Sequence, residues 1–286
     1  MQFSQALVIA FAASVSAHGV VTQIKGANGV TMPGLTVQDG TPRDCSSNGC
    51  GSQADTAIIR DREIASGKAG PLGRTQGNGI VDAAVMVGAF MGAGAAPPAN
   101  QGTSGSVGVE DNIKQRGLKR QFLAGLRGAG GNKVSGPPEA RVAAAMGAGT
   151  SSGLPTCADD GTVTMTLLQI NQDGAGPFTA DVDGTSGGTD EAAMQPATVT
   201  KDVPGLGIQG LSLATKTEFE MQVQMPAGMT CDATVAGASN VCVMRVRNGA
   251  GAGPFGGSVA FTQSTASRKR AIAYKLKKRM EIGRRN

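Results

Sequence analysis

The side chain with the most distinctive chemistry in this sequence is its single histidine, His18. A Ser-His-Asp triad, a Cys-His pair or a zinc site with several histidines would each have to use this one residue, so most histidine-dependent chemistry is excluded. If His18 became the first residue of a processed chain, its free amine and its imidazole Nδ1 could chelate one metal ion together. An imidazole ligand favours copper, whereas carboxylates alone would not.

The residues before His18 predict that such processing takes place. The apolar stretch 6–13 is too short to span a bilayer, but it has the length of the hydrophobic region of a secretory signal peptide. Val15, Ser16 and Ala17 form a small-x-small cleavage site. We therefore predict a signal peptide over 1–17, a secreted extracellular protein, and no transmembrane segment.

Further metal ligands would have to be carboxylate, amide or sulfur groups, because the chain has no second histidine. Two candidates belong to one part of the sequence: Asp173, and Gln169 on a predicted strand just before it. Strand alternation aims Gln169 differently from its two neighbours. One hypothesis is a copper site formed by His18, Asp173 and Gln169. The alternative, which we favour, is that Asp173 only caps its own turn.

Five cysteines in a secreted chain predict disulfides with one thiol left over. Cys45 and Cys50 flank a short loop, and Cys231 and Cys242 flank another short segment that contains a turn. We predict these two pairs and assign Cys157 as the free thiol. A zinc knuckle at the first pair is disfavoured, because no further Cys or His follows at ligand spacing.

The elements that must position these groups are mainly strands. Alternating apolar residues predict strands at 19–24, 161–170, 219–225, 240–247 and 258–263. Short strands separated by turns rich in Gly and Pro favour a mainly β protein with an antiparallel, immunoglobulin-like sandwich. We expect one such secreted domain over 18–266.

A long segment rich in Gly and Ala interrupts the predicted strands. Residues 84–155 are dominated by Gly, Ala, Ser and Pro, and 92–108 has the composition of a flexible surface loop. Helical spacing predicts short helices at 109–126 and 139–146. We expect 84–155 to form an excursion on the outside of the sandwich.

An internal repeat occurs twice in the second half of the chain. Residues 171–178 and 248–255 both read N-x-x-G-A-G-P-F, and each copy follows a predicted strand. Gly permits positive φ and Pro ends strand pairing, so each copy predicts a shaped corner that places a phenylalanine. We favour two equivalent structural corners. In the alternative, a ligand loop, the first copy is the candidate because it carries the polar residues Asn171, Gln172 and Asp173.

The net charge of +5 conceals an uneven distribution. Residues 268–286 hold nine Lys or Arg against Glu281, a charge of +8, so the remainder of the chain carries −3. A basic C-terminal tail over 267–286 could attract nucleic acid, anionic lipid or acidic glycans. Secretion argues against nucleic acid as a partner. The alternative is a solvated terminal helix, which 271–282 could form.

Seven motifs in this order along the chain are similar to those of one known family. They are HGVV at 18–21, PRDC at 42–45, NGCG at 48–51, PLGRTQGNG at 71–79, INQDGAGP at 170–177, AGPFGG at 252–257 and KRAIAYKLKKR at 269–279. Together they resemble the secreted, appressorium-specific, virulence-associated family of powdery mildew and rice blast fungi. The resemblance implies an extracellular fungal protein made around host-surface penetration, and it implies no established reaction.

His18 followed by Gly19 also resembles the first half of the histidine brace of copper-dependent lytic polysaccharide monooxygenases. The brace needs a second histidine, which this chain lacks. Three functions therefore stay open. The favoured one is a non-catalytic secreted protein that acts on an unidentified component of the host surface or cell wall. The others are a copper-binding, monooxygenase-like enzyme and a structural or adhesive wall component that uses the basic tail.

Overall fold

A computed structural model describes residues 18–46, 50–100, 131–205 and 210–283. The predicted signal peptide at 1–17, the predicted helix at 109–126 and the second part of the predicted loop at 92–108 lie outside these described residues.

Thirteen strands and five α-helices make up the described regular structure, together with a 3₁₀ turn at Glu191–Ala193. The strands are β1 Gly19–Lys25, β2 Thr31–Pro33, β3 Ala57–Ile58, β4 Arg74–Thr75, β5 Gly79–Ile80, β6 Asn132–Lys133, β7 Thr162–Gln169, β8 Phe178–Asp183, β9 Gln195–Lys201, β10 Thr217–Gln224, β11 Ala233–Val235, β12 Ala238–Asn248 and β13 Phe255–Thr262. The helices are α1 Asp61–Ala65, α2 Ala83–Phe90, α3 Arg141–Ala145, α4 Gly149–Ser152 and α5 Thr265–Gly283.

The described strands form one curled sheet whose ladders are antiparallel. Its order is β2-β1-β7-β10-β9-β8-β12-β13-β3-β4-β5, with β6 beside β10 and β11 beside β12. β9 pairs with both β10 and β8, so it joins the two halves of the sheet. The curl brings β1 against β13, where a Cβ added at Gly257 would lie 2.9 Å from the backbone nitrogen of Val21. Glycine at this position therefore permits the close approach of the two strands.

The mainly β, antiparallel class predicted from the sequence is confirmed. The predicted strands at 19–24, 161–170, 219–225 and 240–247 correspond to β1, β7, β10 and β12, and the one at 258–263 overlaps β13. β10 shows the predicted alternation, since Phe219, Met221 and Val223 are buried while their neighbours are partly exposed. β13 is buried along almost its whole length, and outside its own strand pairs it packs against β1 and α2.

α2 places the beginning of the 84–155 segment inside the protein, and here the expected outside position is wrong. The helix begins after Asp82, whose carboxylate accepts a hydrogen bond from the backbone nitrogen of Ala84 at 2.8 Å. Met86, Val87 and Phe90 lie at helical spacing and are buried in the main core. α3 is shorter than the predicted 139–146, because Glu139 stands before the helix and accepts hydrogen bonds from the backbone nitrogens of Ala140 and Arg141. The next two backbone nitrogens of the first turn donate to the carboxylate of Asp39.

The basic end of the chain forms a helix, α5, which confirms the helix predicted for 271–282 and extends it toward the N-terminus. The backbone nitrogen of Ser267 donates to the hydroxyl of Ser264, just before the first turn. In the part of the chain that the structure describes, no helix combines the length and the apolar composition needed to cross a membrane.

Candidate functional site at two glycine-rich corners

The two copies of the repeat form two corners at the starts of two strands that flank β12 in the sheet. The first copy ends at Phe178, where β8 begins, and the second ends at Phe255, where β13 begins. β8 and β13 pair with the two edges of β12, and the Gly–Pro bond in each corner is cis. The phenylalanine that each corner places is buried. The two copies therefore have the same local role.

One side chain, that of Asn248, connects the two corners. Its Nδ2 donates to the backbone oxygens of Asp173, at 2.9 Å, and Ala175, at 3.2 Å, in the first corner. Its Oδ1 accepts from the backbone nitrogens of Ala250 and Phe255 in its own corner. Because Asn248 is only 3% exposed, these bonds replace water for every polar atom of the amide.

His18 lies between the two corners and is 1% exposed. Its backbone nitrogen donates to Oδ1 of Asn171 in the first corner at 2.8 Å, and its ring Nδ1 is 3.5 Å from Nδ2 of the same residue. Its ring stacks against Phe255 of the second corner, with the ring centroids 4.5 Å apart. The sequence associated His18 with the first corner only, and the structure adds the second.

Gly174 makes this contact with His18 sterically feasible. A Cβ at Gly174 would lie 2.2 Å from the backbone oxygen of His18, closer than any side chain allows. The same His18 oxygen accepts a hydrogen bond from the backbone nitrogen of Ile170 at 2.9 Å. The backbone on either side of Asn171 therefore packs directly on His18.

Gln169, a predicted metal ligand, is fully buried at the end of β7 and packs against the first corner. Its Nε2 donates to the backbone oxygens of Asn171 and Ala214 and to the hydroxyl of Ser212, at 2.8–3.0 Å. The side chain thus holds the 212–214 segment against the corner. Its amide oxygen also lies within 3.4 Å of the Ser212 hydroxyl.

Asp173, the other predicted ligand, is a buried carboxyl group at 3% exposure. No hydrogen bond from a described residue reaches its Oδ1, so the structure gives this atom no turn-capping role. Burial removes water from the carboxylate and raises the pKa of Asp173 to about 7. Its side chain therefore gains or loses a proton near neutral pH.

The donors for a metal ion at the corners are His18, Asp173 and nearby amides. Across the described ranges there is no cluster of three or more His, Cys, Asp or Glu residues that could hold a metal ion. One imidazole and one carboxyl group fit part of a copper site, and amide or backbone groups would have to complete it.

A buried ionic cluster that the sequence did not predict links Arg43 and Asp55 to Glu139, which lies just before α3. Arg43 donates from Nη1 and Nη2 to the two carboxylate oxygens of Asp55, at 3.0 and 2.5 Å, and from Nε to Glu139 at 3.1 Å. All three side chains are at most 6% exposed. Burial alone would lower the pKa of Arg43, but the two carboxylates outweigh it and raise that pKa. The PRDC motif contains Arg43, but its partners are 12 and 96 residues away.

The two predicted disulfides are present in the structure. Cys45 is bonded to Cys50 with a Cα–Cα distance of 6.5 Å, and Cys231 to Cys242 with 4.8 Å. The second bridge links the segment before β11 to β12 across the hairpin between them. Cys157 is a buried free thiol, as predicted.

Comparisons with known proteins agree with the resemblance seen in the sequence. Residues 16–256 match the family model described as Egh16-like virulence factor. The chain is 54% identical over 281 residues to the appressoria-specific virulence factor GAS2 of Pyricularia oryzae, covering 98% of this chain and 95% of that protein. It is 34% identical over 173 residues to the appressoria-specific virulence factor GAS1 of the same species, covering 59% of this chain and 65% of that protein. No solved structure matches. The chain therefore belongs to the Egh16-like virulence factor family.

Proposed function

We propose that this protein is a secreted, virulence-associated fungal protein that acts at the host surface or in the cell wall. The observation that carries the proposal is its 54% identity, over nearly the full length of both chains, with a protein named for its role in appressorium virulence. The predicted signal peptide and the two disulfides support an extracellular location, because disulfides persist in oxidising compartments.

In this proposal the protein acts by binding, without catalysis of its own. The side chains of Asn248 and Gln169 at the corners support the lack of catalysis in this proposal, since their amide groups are used to hold loops together. The curled sheet is proposed to be a variant of an immunoglobulin-like sandwich, with β1 packed against β13. The binding partner is an unidentified component of the host surface or wall. A structural wall component is the variant of this proposal in which the basic helix α5 supplies the attachment.

Deletion of the gene in the fungus that encodes this chain tests the proposal. We expect fewer penetration events on host tissue, full recovery with the complete gene, and no recovery with a gene lacking codons 2–17. N-terminal sequencing of the protein from the medium is expected to begin at His18. Unchanged infection after deletion would overturn the role in virulence, and full recovery by the leaderless gene would overturn the extracellular site of action.

A copper-binding protein is the second candidate, and Asp173 favours it. Its buried Oδ1 receives no hydrogen bond from a described residue, and it belongs to the corner whose Asn171 contacts both the backbone nitrogen and the ring of His18. In a chain that begins at His18, the amine and Nδ1 would supply two donors, and Asp173 and Gln169 the candidate remainder. Copper held there would supply redox chemistry of the monooxygenase type.

Calorimetric titration with Cu(II) tests this candidate on a chain that begins at His18. We expect submicromolar affinity that His18→Ala abolishes and Asp173→Ala weakens. The matched control is a chain that retains Ala17, because it keeps the imidazole and blocks the amine. Absence of submicromolar affinity, or its retention in His18→Ala, would exclude the copper site and leave the binding role in virulence untouched.

A further inference from the structure

One side of α5 is fixed to the body of the protein. Ser267 and Ala271 are buried against it. Arg268 donates to the backbone oxygen of Cys231 at 2.7 Å and to the carboxylate of Asp232 at 2.8 Å. Two turns further along the helix, Lys275 donates to the hydroxyl of Thr230 at 2.9 Å. The orientation of the helix about its axis is therefore set by the 230–232 segment.

The side of α5 turned away from this contact carries an exposed apolar stripe. Ile272, Leu276 and Met280 follow one another at a spacing of four residues, which aligns them on one face of the helix. They are 44%, 53% and 64% exposed, respectively. At a rise of 1.5 Å per residue, the stripe is about 12 Å long. Three large apolar side chains in line on the exposed side of a helix indicate a surface that is covered by a membrane or by another molecule.

Cationic side chains accompany this stripe. Lys269 and Arg279 lie three residues before and seven residues after Ile272, positions that share its face, and Lys277 borders Met280. All three are exposed. The helix contains seven Lys or Arg residues against the single acid Glu281. An apolar stripe flanked by lysine and arginine is the pattern of helices that lie in the plane of a membrane interface.

We propose that α5 binds the surface of a bilayer that contains anionic phospholipid. Such a surface can contact both the apolar stripe and its cations. The acyl chains cover Ile272, Leu276 and Met280, while the headgroup phosphates and carboxylates pair with the lysine and arginine side chains. A nucleic acid or an acidic glycan would match the charges and leave the stripe in water. A second copy of α5 would cover the stripe but bring two strongly positive helices together. The helix lies on the membrane and does not cross it, and the inference is independent of the role in virulence.

Sedimentation with lipid vesicles tests this inference on the chain from His18 to Asn286. Vesicles of phosphatidylcholine mixed with phosphatidylserine are compared with vesicles of phosphatidylcholine alone. We expect binding to the mixed vesicles that weakens as salt is added, because salt screens the headgroup charge. We expect at least about tenfold weaker binding to the neutral vesicles.

Two triple variants separate the two parts of the face. Lys269→Gln/Lys277→Gln/Arg279→Gln is expected to bind about 100-fold more weakly, at about fivefold per lost charge. Ile272→Gln/Leu276→Gln/Met280→Gln keeps the net charge and a good helix former, and it is expected to lose at least about tenfold. Circular dichroism checks that the helix content of both variants is unchanged.

Each triple variant has a matched control elsewhere on the surface. Lys25→Gln/Lys68→Gln/Lys133→Gln removes the same charge from exposed sites outside α5, and Ile80→Gln/Val85→Gln/Met146→Gln removes three exposed apolar side chains. Both controls are expected to bind within about twofold of the unchanged chain. Equal binding of the unchanged chain to both kinds of vesicle would overturn the proposal, as would full binding by Ile272→Gln/Leu276→Gln/Met280→Gln. The proposal would also be overturned if the unchanged chain bound no vesicles and instead self-associated in ultracentrifugation, with the same triple variant remaining monomeric.

Discussion

The side-chain nitrogen of Asn248 lies 2.9 Å from the backbone oxygen of Asp173, so the last residue of β12 reaches into the corner that precedes β8. The same side chain closes its own corner by accepting from the backbone nitrogens of Ala250 and Phe255. The two copies of the repeat are therefore one structural unit. His18 belongs to this unit, because it bonds to Asn171 in one corner and stacks on Phe255 in the other.

Asn248→Ala is expected to lower the free energy of unfolding by about 3 kcal/mol. The substitution leaves the buried oxygens of Asp173 and Ala175 without donors, and such groups cost about 1–3 kcal/mol each when unpaired. Urea denaturation measures the change. Asn78→Ala on the exposed surface is the control, expected within about 0.5 kcal/mol. A loss as small as that of the control would show that Asn248 does not hold the corners together.

Arg43→Met is expected to destabilise the protein by about 3–5 kcal/mol, because it leaves the carboxylate of Asp55 buried without its counter-charge and leaves Glu139 with only the partly exposed Arg141. Lys201→Met is the matched control, since Lys201 and its partner Glu220 are largely solvated. It is expected to change stability by less than about 1 kcal/mol. Chemical denaturation of both variants gives the comparison, and equal effects would contradict a role for burial.

Asp173→Asn is expected to change how stability depends on pH. The native pKa of Asp173, about 7, lies above the ordinary value of 3.8, so between these values the native protein keeps a proton that the unfolded chain has released. The stability that this group contributes is thus present below about pH 4 and is lost as pH rises to about 7. Asparagine carries no charge to bury, so the variant should be more stable than the unchanged chain by roughly 2–4 kcal/mol at pH 8.

Near pH 4 the same variant should differ little from the unchanged chain, because the carboxyl group is then protonated in the native state. Denaturation curves for both chains at the two pH values measure the difference. Asp159→Asn, at an exposed carboxylate, serves as the control and is expected within about 0.5 kcal/mol. If the stability difference between Asp173→Asn and the unchanged chain were the same at both pH values, Asp173 would not be a buried carboxyl group with a raised pKa.

Cys231→Ala/Cys242→Ala is expected to cost roughly 3 kcal/mol, and Cys45→Ala/Cys50→Ala roughly 2 kcal/mol, because the bridges close loops with separations of 11 and 5 residues. Unfolding of the oxidised variants measures both losses. Cys157→Ala keeps both bridges and is the control. Dithiothreitol should lower the stability of the unchanged chain but not that of a chain in which all four bridged cysteines are replaced. An equal loss of stability in both chains would show that the assigned disulfides are wrong.

The sequence alone predicted the features that depend on local spacing. Alternation with a period of two is a property of a single strand, and it located β1, β7, β10 and β12. The two cysteine pairs are close in sequence, so loop length identified them. The two corners were visible as a repeat, but the hydrogen bond of His18 to Asn171 was not predicted, since the sequence linked His18 to this corner only in the copper hypothesis with Asp173 and Gln169.

The tertiary structure decided what depends on contacts between distant residues. The residue pattern of β9 does not show that this strand pairs with both β8 and β10. Because of this double pairing, the strands form one curled sheet and not the two separate sheets of the predicted sandwich. Gly and Ala around α2 are typical of a loop, whereas the burial of Met86 and Phe90 depends on the core they meet. Arg43 finds Glu139 across 96 residues, and Asn248 finds Asp173 across 75. Such pairs form because burial without a partner costs more than chain closure, and only the folded chain shows which partners meet.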